Sequence, residues 1–243
     1  MSKSPRFHVR EAESSFSDDK FVLAAFDSAL PYLASIGSHE MWGLTSFSQR
    51  DGWAAETSQQ VKDAETYRLT EQGEALRIFI VEAELPAEVG EGGPGSNLGI
   101  LKSTTDKGHE LQTRIRPEDG RRALPVGFAF VREDWIPQYI ASQEHLGLED
   151  AERSPCVYIE VMVADHRVSS EFRKGSGAAL IQRIKEYGQR THRRALFVDG
   201  WAGNDKRLIS YYTRQGFQVI DDFSLPRKDK APWLGTLLRM EVE

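Results

Sequence analysis

A glycine-containing turn at residues 173–178 directly precedes a stretch with helical periodicity, and its composition is that of a phosphate-binding site. The first N–H groups of a helix have no partner within the helix, and the helix dipole makes that end positive, so phosphate groups bind there. Glycine permits a tight turn and a close approach of a ligand to the backbone, while Arg and Lys add cationic partners. Taken alone, the turn fits an ordinary strand-to-helix connection equally well. Its residues are Arg173, Lys174, Gly175, Ser176, Gly177 and Ala178.

The elements around this turn form a predicted βαβ unit. Residues 157–163 alternate Val or Ile with Tyr, Glu and Met, which is the two-residue period of a strand. An amphipathic helix follows the turn, and residues 195–198 supply the next strand. The apolar stripe of the helix consists of Leu180, Ile181, Ile184 and Tyr187.

The strand and the turn together resemble the central motif of the GCN5-related N-acetyltransferase (GNAT) superfamily. In that motif a Tyr-Ile-Glu-x-x-Val strand leads to an Arg/Gln-x-x-Gly-x-Gly/Ala turn that binds the pyrophosphate of coenzyme A. Residues 158–163 match the strand and residues 173–178 match the turn. Phe172 stands where the motif has Arg or Gln, with Arg173 displaced by one position, and the loop at residues 164–171 is longer than usual. The resemblance therefore extends to backbone contacts with the pyrophosphate more directly than to side-chain contacts.

The second signature of the superfamily is an Asn before a helix, an aromatic pair and a closing Gly-Phe. Both signatures occur here in the family's order and separation, which makes the resemblance specific, because each short piece alone occurs by chance in many proteins. The residues that match the second signature are Asn204, Tyr211, Tyr212, Gly216 and Phe217.

The resemblance implies a mixed α/β (α+β) GNAT fold, with a mostly antiparallel central sheet that is splayed at the cofactor site and flanked by helices. It implies acetyl-CoA as cosubstrate and no metal ion. One strand end would turn its free amides toward the pantetheine arm instead of toward a neighbouring strand, and Val161, Met162 and Val163 occupy that position. Asn204 would cap the last helix with its side chain and also contact the pantetheine arm.

Two residues match positions that transfer protons in the superfamily. Glu160 would accept a proton from the attacking amine, directly or through water, because an amine must be neutral to attack. The alternative for Glu160 is a charge that pairs with a nearby Lys or Arg, or that is simply exposed at a sheet edge. Tyr212, four residues before Gly216, would contact the cofactor and protonate the CoA sulfur, whereas Tyr211 faces another way on the helix and packs.

The acceptor pocket of the superfamily is built from the early helices and the neighbouring strand ends, where Glu40, Trp42, Asp199 and Trp201 lie. Either tryptophan fits a place in the core equally well. The implied function is acetyl-CoA-dependent N-acetyltransfer, an acyltransferase reaction in which a primary amine of a small molecule or a protein attacks the thioester directly in a ternary complex. The alternative is an acyl-CoA-binding regulatory module without catalysis.

The remaining apolar patterns predict the elements that complete one domain over residues 1–243. Two helices begin near Asp18 and Trp53. The glycine-rich residues 87–124 predict a flexible insertion between two buried strands, within which residues 110–116 could still pair locally. Strands are predicted over residues 7–12, 76–85, 126–132, 217–220 and 237–242, and a last helix over residues 205–215.

The composition is that of a globular protein. Of the 243 residues, 40% are hydrophobic and 28% are charged, which supplies enough apolar side chains to bury a core. No apolar run approaches the ~20 residues of a membrane span, and the start of the chain has no hydrophobic stretch of the signal-peptide kind. We therefore expect a cytoplasmic protein with no membrane partner, either monomeric or a homodimer.

The charge and the cysteine count exclude further classes. The net charge of −6 argues against general nucleic-acid binding and favours cationic substrates such as amines through electrostatic steering. Cys156 is the only cysteine, so an internal disulfide is excluded and no metal-ligand spacing is present. Its place before an apolar strand pattern indicates a buried small hydrophobe rather than a nucleophile.

Overall fold

The computed structural model describes residues 6–85, 101–104, 110–148 and 155–242, and its framework is a sheet of nine strands. Seven of them follow the order β1-β2-β5-β6-β7-β9-β8, while β4 pairs with β5 and β3 pairs with β4. The strands are β1 (Phe7–Glu11), β2 (Leu76–Glu84), β3 (Leu101–Thr104), β4 (Glu110–Ile115), β5 (Arg122–Glu133), β6 (Cys156–Ala164), β7 (Ala195–Trp201), β8 (Gln218–Arg227) and β9 (Lys230–Glu241). The helices are α1 (Asp18–Ser35), α2 (Trp53–Thr70), α3 (Gln138–Ala141), α4 (Ser170–Arg173), α5 (Ser176–Arg190) and α6 (Gly203–Arg214).

All strand pairs are antiparallel except β6 and β7, which are parallel and connected through α4 and α5. This confirms the mixed, mostly antiparallel sheet and the predicted βαβ unit. Helix α5 packs on the sheet through its predicted apolar stripe, since the side chains of that stripe are buried in one core cluster with residues of β2, β5, β6 and β7. Helices α1 and α2 cover the opposite face and bury their apolar residues against β2 and β5.

The sheet opens between β6 and β7. The two strands pair only from Cys156 with Ala195 to Ile159 with Val198, although both continue beyond that point. On the other side of β6, the register with β5 shifts so that Glu160 is an extra residue, which makes it the position of a β-bulge. A bulge bends its strand and increases the local twist. The predicted splay is therefore present where the motif strand ends.

Two predicted strands are longer in the structure than their patterns indicated. The predictions over 217–220 and 237–242 correspond to β8 and β9, which form one long hairpin. Strand β8 is an edge strand with Asp221, Asp222 and Ser224 exposed, so its sequence lacks the apolar run that marks a buried strand. The predicted local pairing of residues 110–116 is confirmed by β4, whereas residues 86–100 and 105–109 of the predicted insertion lie outside the described residues. In the described part of the chain, no helix is both long and apolar enough to cross a membrane.

A buried ion network anchors the edge of the sheet. The Glu82 carboxylate on β2 has no solvent exposure and accepts hydrogen bonds from Arg10 of β1 at 2.7 Å and from Arg114 of β4 at 2.6 and 2.7 Å. Arg10 also donates to Asp18 at the start of α1, at 2.5 and 2.8 Å. The network therefore connects three strands and a helix through charges that have little access to water.

We expect Glu82→Gln to destabilise the protein strongly. The amide keeps the shape of the carboxylate but leaves two buried guanidinium groups short of negative charge, which costs about 3–5 kcal/mol when one partner of a buried ion pair is lost. Glu74→Gln is the matched control, because Glu74 pairs with Arg132 from a side chain that is 74% exposed, and exposed pairs contribute about 0–1 kcal/mol. Urea unfolding followed by circular dichroism measures both. Equal losses of unfolding free energy in the two variants would contradict the importance of burial for the Glu82 ion network.

Candidate active site

The opening between β6 and β7 leads into a cavity of about 640 Å³. Ligand pockets typically measure about 300–1,000 Å³, so the cavity has the size of a binding site. Its floor is formed by the diverging strands, and its walls come from α1, the loop after α1, α3, α6 and the β8–β9 hairpin. The aromatic residues that line it are Tyr32, Trp42, Tyr139, Trp201, Tyr212 and Trp233.

The predicted phosphate turn forms the N-terminus of α5. Gly175 is the N-cap residue with a φ of 99°, a left-handed conformation that favours glycine, and no side chain of the described residues caps this end. Lys174 and Gly175 are exposed, Gly177 and Ala178 are half-buried, and Ser176 is buried. The turn follows the short helix α4 rather than a strand directly, and the Nε of Arg173 donates to the carbonyl of Val168 at 3.1 Å.

Three elements meet at Gly177. A Cβ placed there would collide with the hydroxyl of Tyr211 and would lie 3.6 Å from the terminal methyl carbon of Met162. Strand β6, helix α6 and the first turn of α5 are therefore in close contact, and a larger residue at this position would have to displace the Tyr211 side chain. The hydroxyl of Tyr211 lies at the turn, and burial raises the pKa of Tyr211 to about 12.

The neighbouring Tyr212 faces the cavity. Its side chain is buried and lines the opening next to β7, and its ring lies 5.5 Å from that of Tyr211. Burial raises the pKa of Tyr212 well above its ordinary value, with the groups of Tyr211 and Asp199 adding to the effect. Tyr212 therefore carries its proton at neutral pH and can act only as a donor or as a neutral acceptor.

Glu160 lines the cavity at the bulge of β6, where it forms an ion pair. Its carboxylate accepts a hydrogen bond at 2.7 Å from the Nε of Arg132, which also donates to Glu74 at 2.6 Å. The ion-paired alternative for Glu160 is therefore the state of this side chain in the structure. A proton acceptor in that setting already has a cationic partner.

A second carboxylate lines the cavity on β7. Asp199 accepts hydrogen bonds through Oδ1 from the Tyr139 hydroxyl at 3.0 Å and from the Tyr158 hydroxyl. Burial raises the pKa of Asp199, and the charge of Glu160 adds to this, while the two tyrosine hydroxyls act in the opposite direction. No sequence pattern connects these residues, because Tyr158 belongs to the strand motif and Tyr139 lies outside both signatures of the superfamily.

The other predicted acceptor residues divide into two groups. Trp42 and Trp201 both line the cavity, and Trp42 also packs edge-on against Phe26 with ring centroids 5.8 Å apart. Glu40 is exposed and does not line the cavity, but its carboxylate lies 3.7 Å from the guanidinium of Arg227, which does. The tryptophans thus belong to the cavity and to the core at once, and Glu40 reaches the site only through Arg227.

The predicted helix cap by Asn204 is wrong. The Nδ2 of Asn204 donates instead to the carbonyl of Ile36 at 2.6 Å and to the hydroxyl oxygen of Ser38 at 2.8 Å. The backbone explains this, because Asn204, Asp205 and Lys206 all have left-handed φ values, of 51°, 55° and 53°, and the side chain of Asn204 has no N–H of α6 as its partner. Asn204 therefore connects the start of α6 to the end of α1, and its contact with a cofactor stays a prediction.

A stacked pair closes the cavity beside α1. The ring of His166 lies on that of Tyr32 with centroids 3.8 Å apart, and the guanidinium of Arg173 lies 6.0 Å from the Tyr32 ring. Burial lowers the pKa of His166 to about 4, and the positive charge of Arg173 contributes to this. His166 is therefore neutral at physiological pH.

Comparison with known proteins identifies relatives by structure only. No protein-family model and no curated protein matches the sequence. The acetyltransferase yncA of Salmonella typhimurium, whose structure contains acetyl-CoA, aligns with a TM-score of 0.53 at 13% identity over 98% of this chain and 94% of its own. A GNAT-family acetyltransferase of Listeria monocytogenes aligns with a TM-score of 0.50 at 15% sequence identity, over 99% of this chain and 98% of its own. FeeM, an N-acyl amino acid synthase from uncultured soil microbes, aligns with a TM-score of 0.50 at 12% sequence identity, over 100% of this chain and 93% of its own.

We expect the imidazole of His166 to titrate with a midpoint near 4, below its ordinary 6.5, because burial penalises the imidazolium form. Arg173→Gln removes the neighbouring positive charge and should move the midpoint part of the way back, since the burial remains. NMR titration of the His166 ring in both proteins measures the effect. A wild-type midpoint at the ordinary value would show that the stacked pair is open in solution.

Proposed function

We propose that this chain, which has the fold of the GNAT acetyltransferases, belongs to that superfamily and transfers the acetyl group of acetyl-CoA to a primary amine in a ternary complex. The observation that carries the proposal is the closeness of the uncapped glycine turn to the cavity that opens between β6 and β7. A Cβ at Gly177 would lie 3.6 Å from the terminal methyl carbon of Met162, and Met162 lines that cavity. One end of this arrangement suits a pyrophosphate, and the other provides room for an acceptor. Release of free CoA from acetyl-CoA, measured with a panel of amines, tests it directly.

The residues present fit coenzyme A. The backbone N–H groups of residues 175–178 would hold the pyrophosphate, because no described side chain caps this end of α5 and Gly175 has the left-handed φ of 99° that favours glycine. Beyond Ile159, β6 has no pairing with β7, although Val161, Met162 and Val163 remain paired with β5. The backbone groups of these residues that point away from β5 are therefore available to the amide groups of a pantetheine arm. When bound, acetyl-CoA supplies the acetyl group as an activated thioester.

The side chains of the cavity would handle the protons. Tyr212 holds its proton at neutral pH and would donate it to the departing sulfur from the cavity wall. The proton of the amine would go to one of the two carboxylates that line the cavity, Glu160 or Asp199. Each role uses a group that already faces the same space, so positioning supplies much of the rate gain.

A CoA-binding module without catalysis is the second candidate. The ion pair between Glu160 and Arg132 favours such a module, because the Glu160 carboxylate already has a cationic partner. Such a module would bind acetyl-CoA by calorimetry yet release no CoA with any amine of the panel. A transferase would do both.

Gly177→Glu should weaken acetyl-CoA binding by at least about tenfold. The new side chain would collide with Tyr211 and would bring a negative charge to the phosphate end of α5. Gln189→Glu is the control, because it adds the same charge at the other end of the helix. Calorimetric titration, with circular dichroism to confirm folding, measures the change. Unaltered affinity in a folded Gly177→Glu protein would exclude this turn as the pyrophosphate site.

Tyr212→Phe should lower kcat by about 100-fold, the lower end of the range for general acid catalysis. The substitution keeps the ring and its packing and removes only the hydroxyl, so acetyl-CoA binding should change little. Tyr211→Phe is the matched control one residue away, where the hydroxyl lies at Gly177 rather than in the cavity. Steady-state kinetics of both variants decide the assignment. Full turnover in Tyr212→Phe together with a loss in Tyr211→Phe would reverse it.

A further inference from the structure

We propose that Asp199, held by Tyr139 and Tyr158, is the subsite that binds the ammonium group of the acceptor, and that the acceptor is a cationic primary amine on an apolar body. This deepens the proposed transferase function and rests on it. The assignment starts from the two carboxylates of the cavity, which have the same charge but opposite surroundings.

The first observation is the hydrogen-bonding capacity that remains on the Asp199 carboxylate. Both tyrosine hydroxyls donate to Oδ1, and among the described residues no other side chain donates to Oδ2. A carboxylate has about four acceptor sites over its two oxygens, so capacity remains for further donors. The tyrosines fix the orientation of the carboxylate at the cavity wall. An ammonium group carries three donors and would complete the set.

The second observation is that Asp199 has no cationic partner among the described residues. The groups that face it are Tyr158 and Glu160 from β6, Tyr139 from α3 and Tyr212 from α6, and its partner residue on β9 is the apolar Leu237. None of these is positive. A carboxylate that is partly buried without a counter-ion is costly, and a cation placed against it removes much of that cost.

The third observation is that Arg132, beside Glu160, and Arg227, in the cavity lining, already have partners. Arg132 pairs with Glu160 at 2.7 Å, so the carboxylate at the motif position already has a cationic partner. Arg227 donates to the carbonyl of Ala231 at 2.8 Å and lies 3.7 Å from Glu40. Of the two described carboxylates in the cavity lining, Asp199 is therefore the one without a cationic partner.

The walls of the cavity define the rest of the acceptor. Trp42, Trp201 and Trp233 line it together with apolar side chains such as Leu225. Aromatic faces attract an amine-bearing cation and bury an apolar chain or ring. An acceptor with a carboxylate next to its amine would instead bring a third negative charge to Asp199 and Glu160. The cavity thus suits an aryl- or alkylamine better than an α-amino acid.

The same contact gives Asp199 the proton of the acceptor. One N–H bond of the ammonium breaks, the proton passes to Oδ2 of Asp199, and the nitrogen keeps the electron pair with which it attacks. Burial raises the pKa of Asp199, which makes the carboxylate a better proton acceptor than a solvent-exposed aspartate. The proton leaves to solvent afterwards.

The test is calorimetric binding of 2-phenylethylamine to the full chain in the absence of acetyl-CoA. Asp199→Asn should weaken binding by about 10- to 100-fold, the value of one hydrogen bond to a charged group. The amide still accepts from both tyrosines, so the fold should be kept. Glu160→Gln, the same change on the other cavity carboxylate, should alter the affinity by less than about threefold, because exposed ion pairs contribute little. The neutral isostere 2-phenylethanol should bind at least about tenfold more weakly than the amine.

Acidification provides an independent readout. Binding of the amine to the wild-type protein should weaken as the pH falls through the raised pKa of Asp199, and binding to Asp199→Asn should not follow that curve. Equal affinity in wild type and Asp199→Asn, an equal loss in Glu160→Gln, equal binding of the alcohol, or no binding of the amine to the wild type would each overturn the proposal.

Titration with acetyl-CoA in the same calorimeter separates this proposal from the transferase function. Binding of the amine that depends on Asp199, without any binding of acetyl-CoA, leaves the ammonium subsite standing and removes the transferase. Binding of acetyl-CoA with equal CoA release by wild type and Asp199→Asn leaves the transferase standing and removes the subsite.

Discussion

The site depends on one break in hydrogen bonding, the point after Ile159 and Val198 where β6 and β7 part. Backbone N–H and C=O groups must be paired when they are buried, so a strand that loses its neighbour inside a protein needs another partner. The bulge at Glu160 bends β6 at this point, and the cavity fills the space that results. An extended ligand with amide groups of its own could replace the missing strand. The same opening brings the start of α5 and the ends of both strands to one place.

Electrostatics distinguishes the two ends of this space. The start of α5 is positive and uncapped in the described residues, whereas the cavity lining includes the carboxylates of Glu160 and Asp199. Those carboxylates differ in their partners, since Glu160 meets a guanidinium and Asp199 meets two phenols. Hydroxyl donors orient a carboxylate but leave its charge uncompensated. Environment rather than residue type therefore decides which of them attracts a cation.

The sequence predicted the parts that have local signals. The period of β6, the glycine turn and the stripe of α5 needed no knowledge of distant contacts, and each is present. The full length of β8 was missed because an edge strand with one solvated face has a polar sequence. The role of Asn204 was missed because three left-handed residues direct its side chain toward α1. The hydrogen bonds of Asp199 with Tyr139 and Tyr158 were missed because they join residues that are far apart in the sequence.

The link from Asn204 to Ile36 and Ser38 has a thermodynamic consequence. Helix α6 carries the two tyrosines that reach the glycine turn and the cavity, and the segment that follows α1 carries Trp42. Because one amide holds these elements together, a ligand that immobilises α6 also restricts the segment after α1. The entropy lost when a second ligand orders that segment is then smaller, and linkage makes the effect reciprocal. A ligand that contacts only α6 and a second ligand that contacts only the segment after α1 would in this way bind with positive cooperativity.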